Sequence, residues 1–253
     1  MSFAGRSALI TGAASGIGAA VASWLAAKGI AELVLVDLDA DGLESLDLPC
    51  QVRKLVGDVS DPALWQRFET EVPRLDHALI NAGVANGGPL TGLDFAEWRR
   101  ILSINLDGAF LGLQAALRIM QRERGTHRSA VLTSSAVGIK PVAMTAAYGT
   151  SKAGVIHLAR IAAAEHLADG IRVNAIAPGR VETPIWTKTD QFKALEQQLG
   201  SRAAALNSVA SELRVPGEFT TAQVLARQIG WLLSDEAENI TGTVLSSDGG
   251  YVL

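Results

Sequence analysis

Short apolar runs bounded by glycine or acidic residues alternate along the chain with longer stretches of helical period. The short runs fall at residues 8–11, 33–37, 52–56, 77–81, 130–134, 172–177 and 244–247. Most lack the strict in-and-out alternation of a half-buried strand, so they read as strands covered on both faces. Between them the apolar spacing predicts helices at 16–28, 62–72, 98–124, 148–167 and 221–234, with room for a brief helix at 39–47. The alternation implies an α/β fold of three layers, with a seven-stranded parallel sheet between two sets of helices.

No repeat, low-complexity tract or linker divides residues 1–253, which read as one domain. The longest irregular stretch, 184–219, holds helix-forming residues at 190–213 and is expected to be a lid over the substrate. A chain that is 48% hydrophobic and 19% charged is not disordered, and its length suits one large core. The lone Cys50 excludes an intrachain disulfide or a multi-thiolate metal site, and it lies outside the chemistry proposed below. A net charge of -4 argues against nucleic acid as a partner. The local basic cluster Arg118, Arg122, Arg124, His127 and Arg128 reads as a helix end closing at Gly125. The start of the sequence enters a strand without a secretory pattern. Lys28, Glu32, Arg118 and Glu165 interrupt the apolar stretches before they reach membrane-spanning length. A soluble, cytoplasmic protein with no membrane partner is the expectation.

The segment from Thr11 to Gly18 lies between the first strand and the first helix. Gly12, Ser15, Gly16, Ile17 and Gly18 there allow a tight turn and a close approach of a pyrophosphate to backbone N–H groups at a helix N-terminus. Glycines and alanines at such a turn also serve close packing of helix on strand. Asp37 ends the second strand 19 residues after Gly18, near the spacing of a ribose-binding acid in a doubly wound Rossmann fold. Its charge repels a 2′-phosphate and Leu38 adds no cation, so NAD is expected over NADP. Asp58 and Val59 follow the third strand, and Asn81, Ala82 and Gly83 follow the fourth, at the ends where open sheets bind ligands. Asp58 suits an adenine amine, and it suits a helix cap equally.

Tyr148 and Lys152 stand four residues apart, on one face of the helix expected there. An ammonium beside a phenol favours phenolate, which is a route to acid/base chemistry near neutral pH. Spacing alone also fits an ordinary packed pair. The four histidines form no metal-ligand pattern, and no metal is expected.

Taken in order, the Thr11 to Gly18 turn, Asp58, Asn81-Ala82-Gly83, Asn105, Ser134-Ser135, Tyr148-x-x-x-Lys152, Pro178-Gly179, Gly242 and Asp248-Gly249-Gly250 resemble the short-chain dehydrogenase/reductase family over essentially the whole chain. The resemblance implies hydride transfer between a carbinol carbon and nicotinamide. Tyr148 would then exchange the hydroxyl proton, Lys152 would lower the tyrosine pKa and bind the nicotinamide ribose, and Ser135, 13 residues before Tyr148, would hold the substrate oxygen. Asn105 would hold a water linking the lysine to solvent. Pro178, Gly179, Val181 and Thr183 would lie at the nicotinamide, and a homotetramer would form through the two long helices. Val137, Val142, Met144 and Trp186 suggest an apolar pocket, hence a hydrophobic secondary alcohol or ketone. A 3-oxoacyl thioester reductase is the alternative enzyme, and a non-catalytic dinucleotide sensor is the alternative of a different class.

Overall fold

The computed structural model describes residues 1–122, 127–187, 190–211 and 219–253. Arg124 and Gly125 of the basic cluster lie outside the described residues. The strands are β1 (Ser7–Thr11), β2 (Glu32–Asp37), β3 (Gln51–Val56), β4 (His77–Ile80), β5 (Arg128–Thr133), β6 (Ile171–Pro178) and β7 (Val244–Ser247), each within two residues of its expected bounds. All pair in parallel, in the order β3-β2-β1-β4-β5-β6-β7. The chain winds outward from β1 to β3 and then returns to β4. The order therefore reverses between β1 and β4, and a crevice opens at the carboxyl ends of the strands there.

Successive strand residues point to opposite faces, and both faces are covered. On one face Leu9, Ala78, Ile80, Ala130 and Leu132 pack with side chains of α3 (Pro62–Glu71), α5 (Gly108–Arg122) and α6 (Ala146–Glu165). On the other, Ala8, Ile10, Leu35, Leu79, Val131 and Ile176 meet α1 (Gly16–Ala27) and α10 (Ala222–Leu233). Burial on both sides explains the unbroken apolar runs in the sequence. The brief helix expected near residue 40 is α2 (Ala40–Glu44), and the helix-forming stretch after Pro184 contains α7 (Pro184–Thr187), α8 (Asp190–Leu199) and α9 (Arg202–Ser211).

The long helix expected at 98–124 is two helices. The first, α4 (Phe95–Leu102), begins three residues before Trp98, where the Asp94 carboxylate accepts from the Ala96 N–H at 3.3 Å. A π-helical turn, Ser103–Asp107, then joins it to α5. The wider turn aims Asn105 at the loop after β4 and at α6 while Gly108 packs on Val59.

The described members of the basic cluster have protein partners. Arg118 pairs with Glu69 at 3.1 Å, Arg122 donates to the Glu69 carbonyl at 3.0 Å, and buried Arg128 donates to the Met120 carbonyl. His77 is a core residue. The Ser129 hydroxyl donates to the Leu233 carbonyl at 2.7 Å, so it accepts from His77 Nδ1 at 2.9 Å, which fixes the neutral Nδ1–H tautomer. Burial pushes the His77 pKa down to about 3.

Contact between α1 and α10 depends on Gly230, where a Cβ would stand 2.1 Å from Trp24 Cζ3. Gly230→Ala is expected to cost about 1–3 kcal/mol through overpacking, read as a melting temperature lower by several degrees. A second substitution, Trp24→Leu, should recover part of that loss.

Candidate active site

The crevice is shaped by backbone before any side chain enters it. Gly12 adopts φ +65°, and a Cβ there would lie 2.9 Å from Ala82 Cα. Only glycine lets the ends of β1 and β4 approach so closely. The Thr11 hydroxyl locks them together by accepting the N–H groups of Asn81 at 2.8 Å and Ala82 at 3.0 Å. Asn81 Nδ2 returns a bond to the Thr11 carbonyl at 3.1 Å. At Gly18 a Cβ would meet the Gly12 carbonyl oxygen at 2.0 Å, so this glycine serves helix-on-turn packing. Asp37 accepts from Ala14 N–H at 2.9 Å with one oxygen and from Asp39 N–H at 3.0 Å with the other. Asp58 is not the cap of α3. It accepts the Ser60 N–H and hydroxyl, each at 2.8 Å, while Asp61 caps the helix.

A cleft of about 560 Å³ runs along these strand ends. Gly12, Ser15, Gly16 and Ile17 line it from the first turn, Asp37 and Leu38 from the end of β2, and Asp58 and Val59 from beyond β3. Asn81, Ala82 and Gly83 line it from beyond β4, and Pro178, Gly179, Val181 and Thr183 from the end of β6 onward. Ser135, Tyr148 and Lys152 share its wall. Gly18, Asn105, Val137, Val142 and Met144 do not line it, and the side chain of Trp186 lies outside the described part of the chain. The expected apolar pocket around Val137, Val142 and Met144 is therefore not part of this cleft, and Met144 is exposed at φ +68°. Ser134, the neighbour of Ser135, also lines it, as do residues the sequence did not single out: Gly57, Val84, Ala85, Arg100, Ile104, Thr133, Pro184 and Ile185. Strand-end position could have indicated Gly57 and Thr133. Arg100 and Ile104 carry no such signal.

Tyr148 and Lys152 lie in the first two turns of α6. Lys152 Nζ donates to the Thr133 carbonyl at 2.9 Å and stands 5.8 Å from the centre of the Tyr148 ring. Burial pushes the lysine down to about 8, so it keeps its charge at pH 7. Burial also raises the Tyr148 phenol, against a hydrogen bond from Ser135 that lowers it. Burial is the largest influence on this phenol, and the hydrogen bond from Ser135 is the one that opposes it. The Asn105 side chain is engaged by protein, accepting from Val84 N–H at 2.8 Å and donating to the Val84 carbonyl at 2.9 Å and the Ser151 hydroxyl at 3.1 Å.

A family sequence model described as enoyl-(acyl carrier protein) reductase matches residues 12–252. Levodione reductase of Leifsonia aquatica is 37% identical over 98% of this chain and 94% of its own length. The chain belongs to the short-chain dehydrogenase/reductase family. Members of that family are oxidoreductases that use a nicotinamide dinucleotide. The chain is also similar to cis-4-hydroxycyclohexanecarboxylate dehydrogenase of Sinomonas cyclohexanicum, 37% identical over 98% of this chain and 97% of that one. A 3-oxoacyl-[acyl-carrier-protein] reductase of Thermotoga maritima is 34% identical over the full length of both. Among solved structures, carveol dehydrogenase of Mycobacterium avium in complex with NAD superposes with a TM-score of 0.87 at 28% identity, covering 98% of each chain. L-sorbose reductase of Gluconobacter frateurii, complexed with NADPH and L-sorbose, gives 0.91 at 26%, covering 100% of this chain and 98% of that one. No described helix is long and apolar enough to cross a membrane, and no described cluster of His, Cys, Asp and Glu could hold a metal ion.

Selective ¹³C labelling of lysine should show the Lys152 side chain titrating near pH 8 in the cofactor-free protein, against about 10.4 for an unperturbed lysine. Because the folded pKa lies below the unfolded one, the unfolded state binds more protons between these values. Lys152 therefore adds a term to stability that rises with pH from about 8 to about 10.4 and is flat below that window.

Proposed function

We propose that this chain is an NAD-dependent oxidoreductase that interconverts a hydrophobic secondary alcohol and its ketone, with Tyr148 as acid/base. The observation that carries this reading is one cleft that holds Ser135, Tyr148 and Lys152 together with Asp37 and the glycine turn. The residues present suit the dinucleotide. A Cβ at Gly12 would displace Ala82, and the turn it forms leads directly into the N-terminus of α1. Ser15, Gly16 and Ile17 would hold the pyrophosphate, Asp37 the adenosine ribose and Asp58 the adenine. Gly179, Val181 and Thr183 would face the carboxamide.

When bound, NAD supplies the hydride acceptor and a positive ring. The protein's part is position and proton movement. Ser135 orients the substrate oxygen beside the Tyr148 phenolic oxygen, which as phenolate takes the alcohol proton in oxidation and as phenol returns it in reduction. Lys152, charged at neutral pH, favours the phenolate and binds the nicotinamide ribose. Asn105 is a positioning residue, since its amide ties Val84 to Ser151, the residue before Lys152. The segment after Pro184 covers the substrate, and Pro184 and Ile185 already reach the cleft. Four copies assemble through α5 and α6, on which Phe110 and Ile161 are exposed. The cytoplasm is the proposed location.

A panel of aliphatic, cyclic and aryl secondary alcohols, with polyols and 3-oxoacyl thioesters as controls, tests the reading through absorbance of reduced nicotinamide. Turnover is expected with hydrophobic alcohols and is expected to fall at least a thousandfold in Tyr148→Phe with NAD binding kept. Near-normal turnover in that variant overturns the tyrosine mechanism, and turnover of polyols alone overturns the substrate class.

Cofactor preference has its own test. Asp37→Asn removes the charge and keeps an acceptor for Ala14 N–H, so the NAD/NADP ratio of kcat/KM is expected to fall about tenfold or more. An unchanged ratio removes Asp37 from the assignment.

A further inference from the structure

Arg100 and Ile104 line the cleft and stand above two glycines of α5 that pack into the core. On α5, a Cβ at Gly112 would lie 2.8 Å from Trp65 Cη2, and one at Gly108 would lie 2.7 Å from Val59 Cγ2. About a turn earlier Ile104 lines the cleft, and a further turn earlier Arg100 lines it from the last turns of α4. The stripe Gly112, Gly108, Ile104, Arg100 thus rises past Val59. Asn105, the next residue round the turn from Ile104, faces Val84 and Ser151 at the lysine end instead. Arg100 therefore belongs to the wall at the Asp58 and Val59 end.

Its guanidinium is held in place. Nε and Nη2 donate to the Glu97 carboxylate at 2.6 and 2.8 Å, and Asn86, from the loop after β4, hydrogen-bonds the same carboxyl group. The two side chains are 47% and 32% exposed, so as an ion pair they add little to stability. Glu97 also offsets the charge that would otherwise draw a phosphate. What Arg100 then presents to the cleft is a fixed, planar, weakly hydrated surface, which suits the face of an aromatic ring better than it suits an anion.

We infer that Arg100 is an adenine-recognition residue, its guanidinium plane oriented by Glu97 to cover the purine of the dinucleotide at the Asp58 and Val59 end of the cleft. The inference rests on the dinucleotide reading above and adds to it a side chain that distinguishes adenosine-bearing ligands from the nicotinamide half alone.

Calorimetric titration of NADH, ADP-ribose and reduced nicotinamide mononucleotide into wild type, Arg100→Ala and Arg100→Lys tests it. Both positions of the pair are at the surface, so the variants should keep the wild-type melting temperature within about two degrees. Arg100→Ala is expected to raise the Kd of NADH and of ADP-ribose by the same factor, about five- to twentyfold, and to leave the mononucleotide unchanged. Arg100→Lys should behave like the alanine variant, because an ammonium has no plane. Unchanged affinities, an equal loss for the mononucleotide, or recovery by lysine each overturn the inference while leaving the dinucleotide reading standing. Wild-type protein that binds neither NADH nor ADP-ribose overturns both.

Discussion

Burial of the Lys152 ammonium, with the Thr133 carbonyl 2.9 Å away, is the constraint around which the catalytic end of the cleft is arranged. A charge taken from water is costly unless polar groups surround it, and the lysine pKa of about 8 records that cost. The neighbouring backbone approaches closely because side chains are missing where they would intrude. A Cβ at Gly83 would lie 3.2 Å from both Lys152 Nζ and Asn105 Oδ1, and one at Gly138 would lie 2.8 Å from the Lys152 carbonyl carbon. The Ser134 hydroxyl then donates to the Lys152 carbonyl at 2.8 Å, fixing the start of α6 to the end of β5. With that join made, Ser135 begins a short 3-10 turn and its hydroxyl reaches the Tyr148 phenol. The serine, tyrosine and lysine meet because the helix and the strand end are held at that distance.

The strands were legible because a sheet buried on both faces leaves apolar runs that little else in the chain imitates. Even β3, with Arg53 and Lys54 in its middle, was marked by its glycine and aspartate boundary. That Gly12, Asp37, Asp58 and Asn81 share one cleft was legible for a related reason: all sit at strand ends, where position follows directly from the strand assignment. Tyr148 and Lys152 could be paired from helical spacing, although only the fold brings Ser135 beside them.

What the sequence hid depends on turns whose geometry has no local signature. The π turn at Ser103–Asp107 leaves no mark in residues 98–124, which look like one continuous amphipathic helix, and Arg100 and Ile104 of that stretch line the cleft. Met144 and Val142 were grouped with the site because they lie near Tyr148 in sequence. The chain instead turns away at Met144, whose carbonyl accepts from Gly88 N–H at 2.9 Å and links this loop to the one after β4. Both loops line the cleft only with their first residues, Asn81 to Ala85 after β4 and Ser134 and Ser135 after β5. Val84, Ala85, Pro184 and Ile185, which do line the cleft, come from two separate crossovers and share no motif.

Asp37 shows why the nucleotide end tolerates so little change. A carboxylate has two oxygens and about four acceptor sites, and here each oxygen already takes one backbone N–H, from Ala14 and from Asp39. The same residue that would bind a ribose is therefore part of the wall that shapes the glycine turn. Asp37 also lines the cleft, and the acceptor capacity left to a carboxylate suits a neutral hydroxyl better than a phosphate. Leu38, 70% exposed beside it, adds no cation to change that balance. The charge at this position is held in place by the same bonds that hold the turn. A change at position 37 therefore alters the turn as well as the charge, and an amide there separates the two only in part.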